Sequence, residues 1–183
     1  KAAVIAAKER TTIDTNRVHD FSLRPEQKDT IEKTKHYFKS YTSAENKTPH
    51  FLWNCKMRFG KTFTAYKLAQ EMKWTKVLIL SFKTAVEDSW KDDLMSHKDF
   101  KSWQFLHGKT ETDKDIDLQK PFVCFASFQD FLGKNKVGGI KIKNRWAHKI
   151  NWDCIILDEY HYGAWNENSK GILSLDDKLI EKE

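Results

Sequence analysis

Four short apolar runs punctuate an otherwise polar chain: FLWNC at 51–55, KVLILSF at 76–82, PFVCFASF at 121–128 and WDCIILD at 152–158. Each is nearly continuous rather than alternating, the pattern of a strand buried on both faces of a parallel sheet. Between the first two lies TFTAYKLAQEMKW, where Ala65, Leu68, Ala69 and Met72 fall at i, i+3, i+4 and i+7 and make one apolar helical face. TAVEDSWKDDL, after the second run, also has helical composition. The alternation predicts an α/β fold, a mainly parallel sheet flanked by helices and joined by right-handed crossovers. No internal repeat or low-complexity tract interrupts it.

Composition narrows the class. A chain of 183 residues, 39% of them apolar, suits one domain with a full core. The 32 Lys and Arg against 26 Asp and Glu leave a net charge of +6, which favours a polyanionic partner and equally suits a solvated basic face. Cys55, Cys124 and Cys154 show no C-x-x-C spacing and sit in or beside apolar runs, as reduced, buried thiols do. No stretch reaches the roughly 18 apolar residues of a membrane span, and KAAVIAAKER is too short and too charged for a signal peptide. The expectation is a soluble, cytoplasmic protein without a membrane partner. It opens on Lys and stops at DDKLIEKE, and so reads as a piece of something longer, with 1–20 as an extension and 21–183 as the domain.

The chemistry concentrates at CKMRFGKT, residues 55–62, which follows the first apolar run and precedes the apolar-faced helix. A phosphate loop needs that order of strand, turn and helix, because turn N–H groups and the helix N-terminus meet the same anion. In such a loop Lys61 reaches the β- and γ-phosphates of ATP and the Thr62 hydroxyl binds Mg²⁺. Cys55 stands where G-x-x-x-x-G-K-[ST] has its first glycine, and Arg58 adds a cation facing phosphate or solvent. A second Gly-Lys-Thr, at 108–110, leads into the acidic TETDKDIDLQKP and reads as a surface turn.

WDCIILDEYHYGAW, residues 152–165, supplies the metal partner. Its apolar run puts Asp158 at the C-terminal tip of a strand, the edge where open α/β sheets bind ligands. Asp158 can hold Mg²⁺ directly or through water, and Glu159 can polarise the water that attacks the γ-phosphate. The bland alternative is a strand that merely ends in Asp-Glu.

Asp158-Glu159-Tyr160-His161 resembles the DExH box of superfamily-two helicases and translocases, and CKMRFGKT resembles their phosphate loop. Together with LRPEQ at 23–27, these motifs resemble the helicase lobe of restriction-enzyme motor subunits, the type III family in particular, over about residues 21–165. The resemblance implies the first of two RecA-like lobes, with Arg58, Phe59, Gly60, Lys61 and Thr62 around the phosphates. It implies that Gln27 recognises adenine, with Arg24 and Phe21 lining the same pocket. It further implies that Lys83, Thr84, Ser127 and Gln129 contact a nucleic-acid backbone, and that His161 couples nucleotide to nucleic acid. Each of these also has an ordinary reading, as a helix-capping segment or as polar loop residues.

Residues 133–149 gather Lys134, Lys136, Lys141, Lys143, Arg145 and Lys149 around Trp146, either a grip for phosphates and a base or a solvated basic insertion, with the insertion favoured. The Ser-Ala-Thr type motif of the family is not visible after Tyr162. The resemblance puts the arginines that complete the site on a second lobe, so this stretch alone should hydrolyse ATP slowly or not at all, a deficit of about 10³ to 10⁵ in rate. Its implied partners are nucleic acid, with DNA ahead of RNA, the second lobe, and methylase, specificity or nuclease components of a restriction system. The competing expectation is a nucleotide-gated binding module that never hydrolyses. A small-molecule phosphotransferase is disfavoured, because tandem carboxylates suit water activation better than delivery of an acceptor hydroxyl.

Overall fold

The computed structural model describes residues 17–42, 48–131 and 141–159. Among the described residues three longer helices, α1 (Pro25–Ser40), α2 (Lys61–Met72) and α3 (Glu87–Ser96), and a one-turn helix, α4 (Phe128–Phe131), accompany four strands, β1 (Lys76–Ser81), β2 (Gln104–His107), β3 (Phe122–Ser127) and β4 (Cys154–Asp158). The strands form one sheet in the order β2-β3-β1-β4, and every neighbouring pair is parallel. The α/β fold expected from the alternation is the fold observed.

The apolar runs are continuous because the two central strands are covered on both sides. Successive strand side chains face opposite ways. Val77, Ile79, Val123 and Phe125 therefore join Phe63 and Tyr66 of α2 and Trp90 and Leu94 of α3 in one core layer. Leu78, Leu80, Cys124 and Ala126 join Leu106, Phe128, Phe131 and Ala147 in the other. At the edge, β4 departs from this: Ile155 is 52% and Leu157 36% exposed, although the run reads as apolar throughout.

Two of the strand expectations change. FLWNC is not a strand among the described residues. Instead of joining a ladder the segment packs on α1, with the Phe51 ring 5.2 Å from Tyr37 and the Trp53 indole N–H donating to the Thr34 hydroxyl at 2.9 Å. The fourth strand is QFLH, pairing Gln104–His107 with Phe122–Phe125. Four residues with polar ends carry too little apolar signal to mark a strand.

Local chemistry fixes how α1 and α3 are held. Pro25 occupies the first turn of α1, and the Gln27 carboxamide oxygen accepts from the Arg24 backbone N–H at 2.8 Å, the returning half of a capping box. At the C-terminus of α3, the Arg17 guanidinium donates to the carbonyls of Leu94 and His97, which complements the negative end of the helix. His97 is 1% exposed; it accepts from the Asp99 N–H at Nδ1, so its Nε2–H donates to the Phe21 carbonyl. That bond lays the Phe21 ring against Phe63, 4.6 Å between centroids, on the first turn of α2.

Candidate functional site

The turn before α2 is built from strained backbone. Arg58 has φ 61° and Gly60, the N-cap of α2, has φ 78°, both left-handed, while Cys55 is not among the residues with positive φ. Glycine is therefore unnecessary at position 55, where the loop pattern usually has one, and is required at position 60. A Cβ on Gly60 would lie 2.7 Å from the Gln27 carboxamide nitrogen. The start of α1 clamps this turn: Arg24 donates to the carbonyls of Arg58 (3.1 Å) and Phe59, and the Gln27 nitrogen donates to the Phe59 carbonyl at 2.8 Å.

Opposite effects follow for two substitutions. Arg58→Gly relieves a left-handed side chain worth about 1–2 kcal/mol, partly offset by glycine entropy, and should raise the melting temperature by about 1–4 °C. Gly60→Ala adds that strain and the clash with Gln27, and should lower it. Thermal denaturation of both variants reads the two signs; a destabilised Arg58→Gly would refute the strain at Arg58.

Across the turn, the Lys61 ammonium lies 2.7 Å from Oδ1 of Asp158 and 3.0 Å from Oε1 of Glu159. Register explains the meeting, because β1 and β4 run parallel with Ser81 beside Asp158, which places the β4 tip at the carboxyl edge of the sheet. Asp158 is 4% exposed, and its other oxygen accepts from the Trp90 indole N–H at 2.8 Å. Partial burial pulls the Lys61 ammonium towards lower pKa, but hydrogen bonds and charge from Asp158 and Glu159 outweigh it, so the pKa is raised and the lysine stays charged. Glu159 itself has φ 55°, a strained conformation at the strand end. Thr62 is buried beside Lys61 in the first turn of α2. Lys61, Asp158 and Glu159, nearly a hundred positions apart in sequence, thus meet at one sheet edge, with Thr62 next to Lys61 on α2. Trp90 escaped the sequence reading, since its indole reaches the site only through the packing of α3.

The Asp158 and Glu159 oxygens already hold a cation, the Lys61 ammonium, and as hard donors they suit Mg²⁺. No group of three or more His, Cys, Asp or Glu residues able to hold a metal occurs among the described residues. Two carboxylates with oxygen donors are the kind of protein ligand that would suit Mg²⁺, an ion that takes few ligands from a protein.

Gln27 is 4% exposed, and each arm of its amide has one bond to the protein. The amide has the capacity for one further donated and one further accepted hydrogen bond. Ser127 and Asp158 flank Ser81 in one row across the sheet. Lys83 is exposed just beyond β1, and Thr84 opens the short turn that leads into α3. The Ser127 hydroxyl accepts from the Asp130 N–H, while Gln129 is exposed. His161, Lys134 and Lys136 lie outside the described residues. In the basic segment Lys141 and Lys143 both bind the Asp130 carboxylate, and Trp146 is half-buried against the second core layer. The second Gly-Lys-Thr is a turn after β2 with Lys109 and Thr110 exposed. Burial raises the thiol pKa of Cys124 and pushes that of Cys154 up to about 12; half-buried Cys55 is raised by burial against the opposing charge of Lys61.

Residues 20–180 match the family described as type III restriction enzyme, res subunit. A Mycoplasma pneumoniae protein, provisionally named as a type II restriction enzyme and methyltransferase C-terminus, is 41% identical over 152 aligned positions, with 79% of this chain and 20% of that protein covered. The chain thus spans about a fifth of the length of this curated relative. No solved structure matches it. With a parallel sheet, a glycine-capped turn before α2 and a lysine set against the carboxylates of β4, the chain belongs to the type III restriction enzyme res subunit family.

Proposed function

We propose that this chain is the ATP-binding lobe of an ATP-driven DNA translocase or helicase of a restriction system. One observation carries the reading: the Lys61 ammonium sits between Asp158 and Glu159 at the mouth of a glycine-capped helix N-terminus. Held by Thr62 and Asp158, Mg²⁺ would supply positive charge against the charge that develops on the phosphates. The residues of the chain do the rest. Thr62 and Asp158 hold the ion, the first N–H groups of α2 and the Lys61 ammonium hold the phosphates, and Gln27 reads the base. Phosphate oxygens compete for Lys61 and free the Glu159 carboxylate to orient water. The restriction enzyme and methyltransferase name of the relative favours DNA as substrate and a methylase as companion.

The resting pair also supports a second reading. With its Oε1 engaged by the Lys61 ammonium, Glu159 is a poorer base towards water, so a protein in which this pairing persists with ATP bound would be a nucleotide-gated binding module.

Nucleic acid should bind at the carboxyl edge weakly, without sequence preference and with a steep loss as salt rises, because each neutralised phosphate releases counterions. Lys83→Glu should weaken binding in fluorescence anisotropy at low salt and flatten the salt slope by roughly one to two contacts. Reversal at Lys141 and Lys143 should do less, since Asp130 already engages both. Equal binding by the Lys83 variant and the unsubstituted protein would remove the backbone contact at the end of β1.

A further inference from the structure

We infer that Trp90 is a positioning residue for the metal-binding carboxylate: its indole N–H holds Oδ2 of Asp158 so that Oδ1 alone is presented to a divalent cation. The inference rests on the nucleotide-site reading above. The two oxygens have unlike partners. Oδ2 is met at 2.8 Å by a donor that is 2% exposed and embedded in the core. Oδ1 is met by the Lys61 ammonium at 2.7 Å and the Glu159 N–H at 3.0 Å. The first partner sits on a rigid ring and cannot withdraw. The second includes an ammonium on a flexible stem that can exchange for a metal ion.

A carboxylate turns readily about its last torsion, where the energy profile is broad and two-fold. A fixed donor on one oxygen removes that freedom and selects one-oxygen coordination. The position of Trp90 is itself set from the nucleotide side: the Tyr66 hydroxyl of α2 donates to the Trp90 carbonyl at 2.8 Å, and the two rings meet edge to face, 5.5 Å between centroids. The helix that begins with Lys61 and Thr62 thus also locates the indole that orients Asp158, and the two halves of the candidate metal site are tied through α3. Outer partners of this kind typically carry 10- to 100-fold in metal affinity.

The experiment titrates Mg²⁺ against a fluorescent ATP analogue bound to the parent protein. Trp90→Phe keeps the aromatic packing and deletes the donor. It should raise the Mg²⁺ concentration at half-saturation by about 10- to 100-fold, with nucleotide affinity in EDTA unchanged. Benzothienylalanine at position 90, which replaces the indole N–H by sulfur and keeps the ring shape, should give the same shift and decides the matter if the phenylalanine variant does not fold. A folded variant with an altered melting temperature and the original Mg²⁺ midpoint overturns the inference. If the unsubstituted protein binds the nucleotide with no Mg²⁺ dependence at all, the reading of Asp158 as a metal ligand falls with it.

Discussion

Lys61→Ala is expected to remove most of the ATP·Mg²⁺ affinity while the domain stays folded. The ammonium is the one side-chain cation that the structure places against both Asp158 and Glu159 among the described residues. Its hydrogen bonds to phosphate would be charge-assisted, worth about 1.5–3 kcal/mol, or roughly 10- to 150-fold in affinity. The second effect adds to the first: without Lys61, two neighbouring carboxylates face an incoming polyanion with one positive charge fewer to offset them. The fold should survive because α2 is anchored by Phe63, Tyr66, Leu68 and Ala69, each 6% exposed or less. Lys109→Ala is the control, for that lysine is exposed on a turn and leads into Glu111, Asp113 and Asp115. Calorimetry reads both variants. Unchanged binding by Lys61→Ala would remove the phosphate-loop assignment, and a loss seen only in Lys109→Ala would move it to the other Gly-Lys-Thr.

Glu159→Gln in the parent protein should leave ATP bound and lower nucleic-acid-stimulated turnover by about 10² to 10⁴, the usual worth of a positioned general base. The substitution keeps side-chain shape and leaves Asp158 to hold Lys61 and the ion. Binding and turnover therefore separate, as expected for a group that acts in the transition state only. A Gln variant that hydrolyses ATP at the unsubstituted rate would take Glu159 out of the chemistry. A variant that also fails to bind ATP would show the pair with Lys61 to be structural.

The sheet was legible where burial is symmetric. KVLILS and FVCFAS are apolar except at Lys76 and the terminal serines because helices and loops cover both faces of β1 and β3. Where a strand lies at an edge the same signal misleads: CIIL is as apolar as its neighbours, yet Ile155 and Leu157 are exposed. FLWNC failed as a strand because an apolar run can equally satisfy itself on a helix, here α1, and no ladder partner reaches it among the described residues. QFLH was invisible because a four-residue parallel strand is defined by its neighbour β3 rather than by its own pattern.

The candidate site divides the same way. Asp158 and Glu159 were readable because an apolar run ends at a strand tip, and Lys61 and Thr62 because the apolar-faced helix starts there, although the strand expected before the turn is absent among the described residues. The roles of Arg24 and Gln27 were readable only in part. Resemblance points both at a base, whereas the structure shows both also bonded to the carbonyls of the turn, contacts that depend on the approach of α1 to residues 58–60. Trp90 could not be read at all, since a tryptophan in a helix signals core, and only three-dimensional packing aims its N–H at Asp158.

Steady-state ATP hydrolysis by the parent protein, measured with and without long duplex DNA, bears most directly on the motor reading. A motor lobe should give slow turnover alone, a clear rise with DNA, a fall as salt displaces the DNA, and loss of the rise in Glu159→Gln. Bound ATP with no turnover above the Glu159→Gln background, at saturating DNA and low salt, would contradict it and leave the nucleotide-gated module in its place.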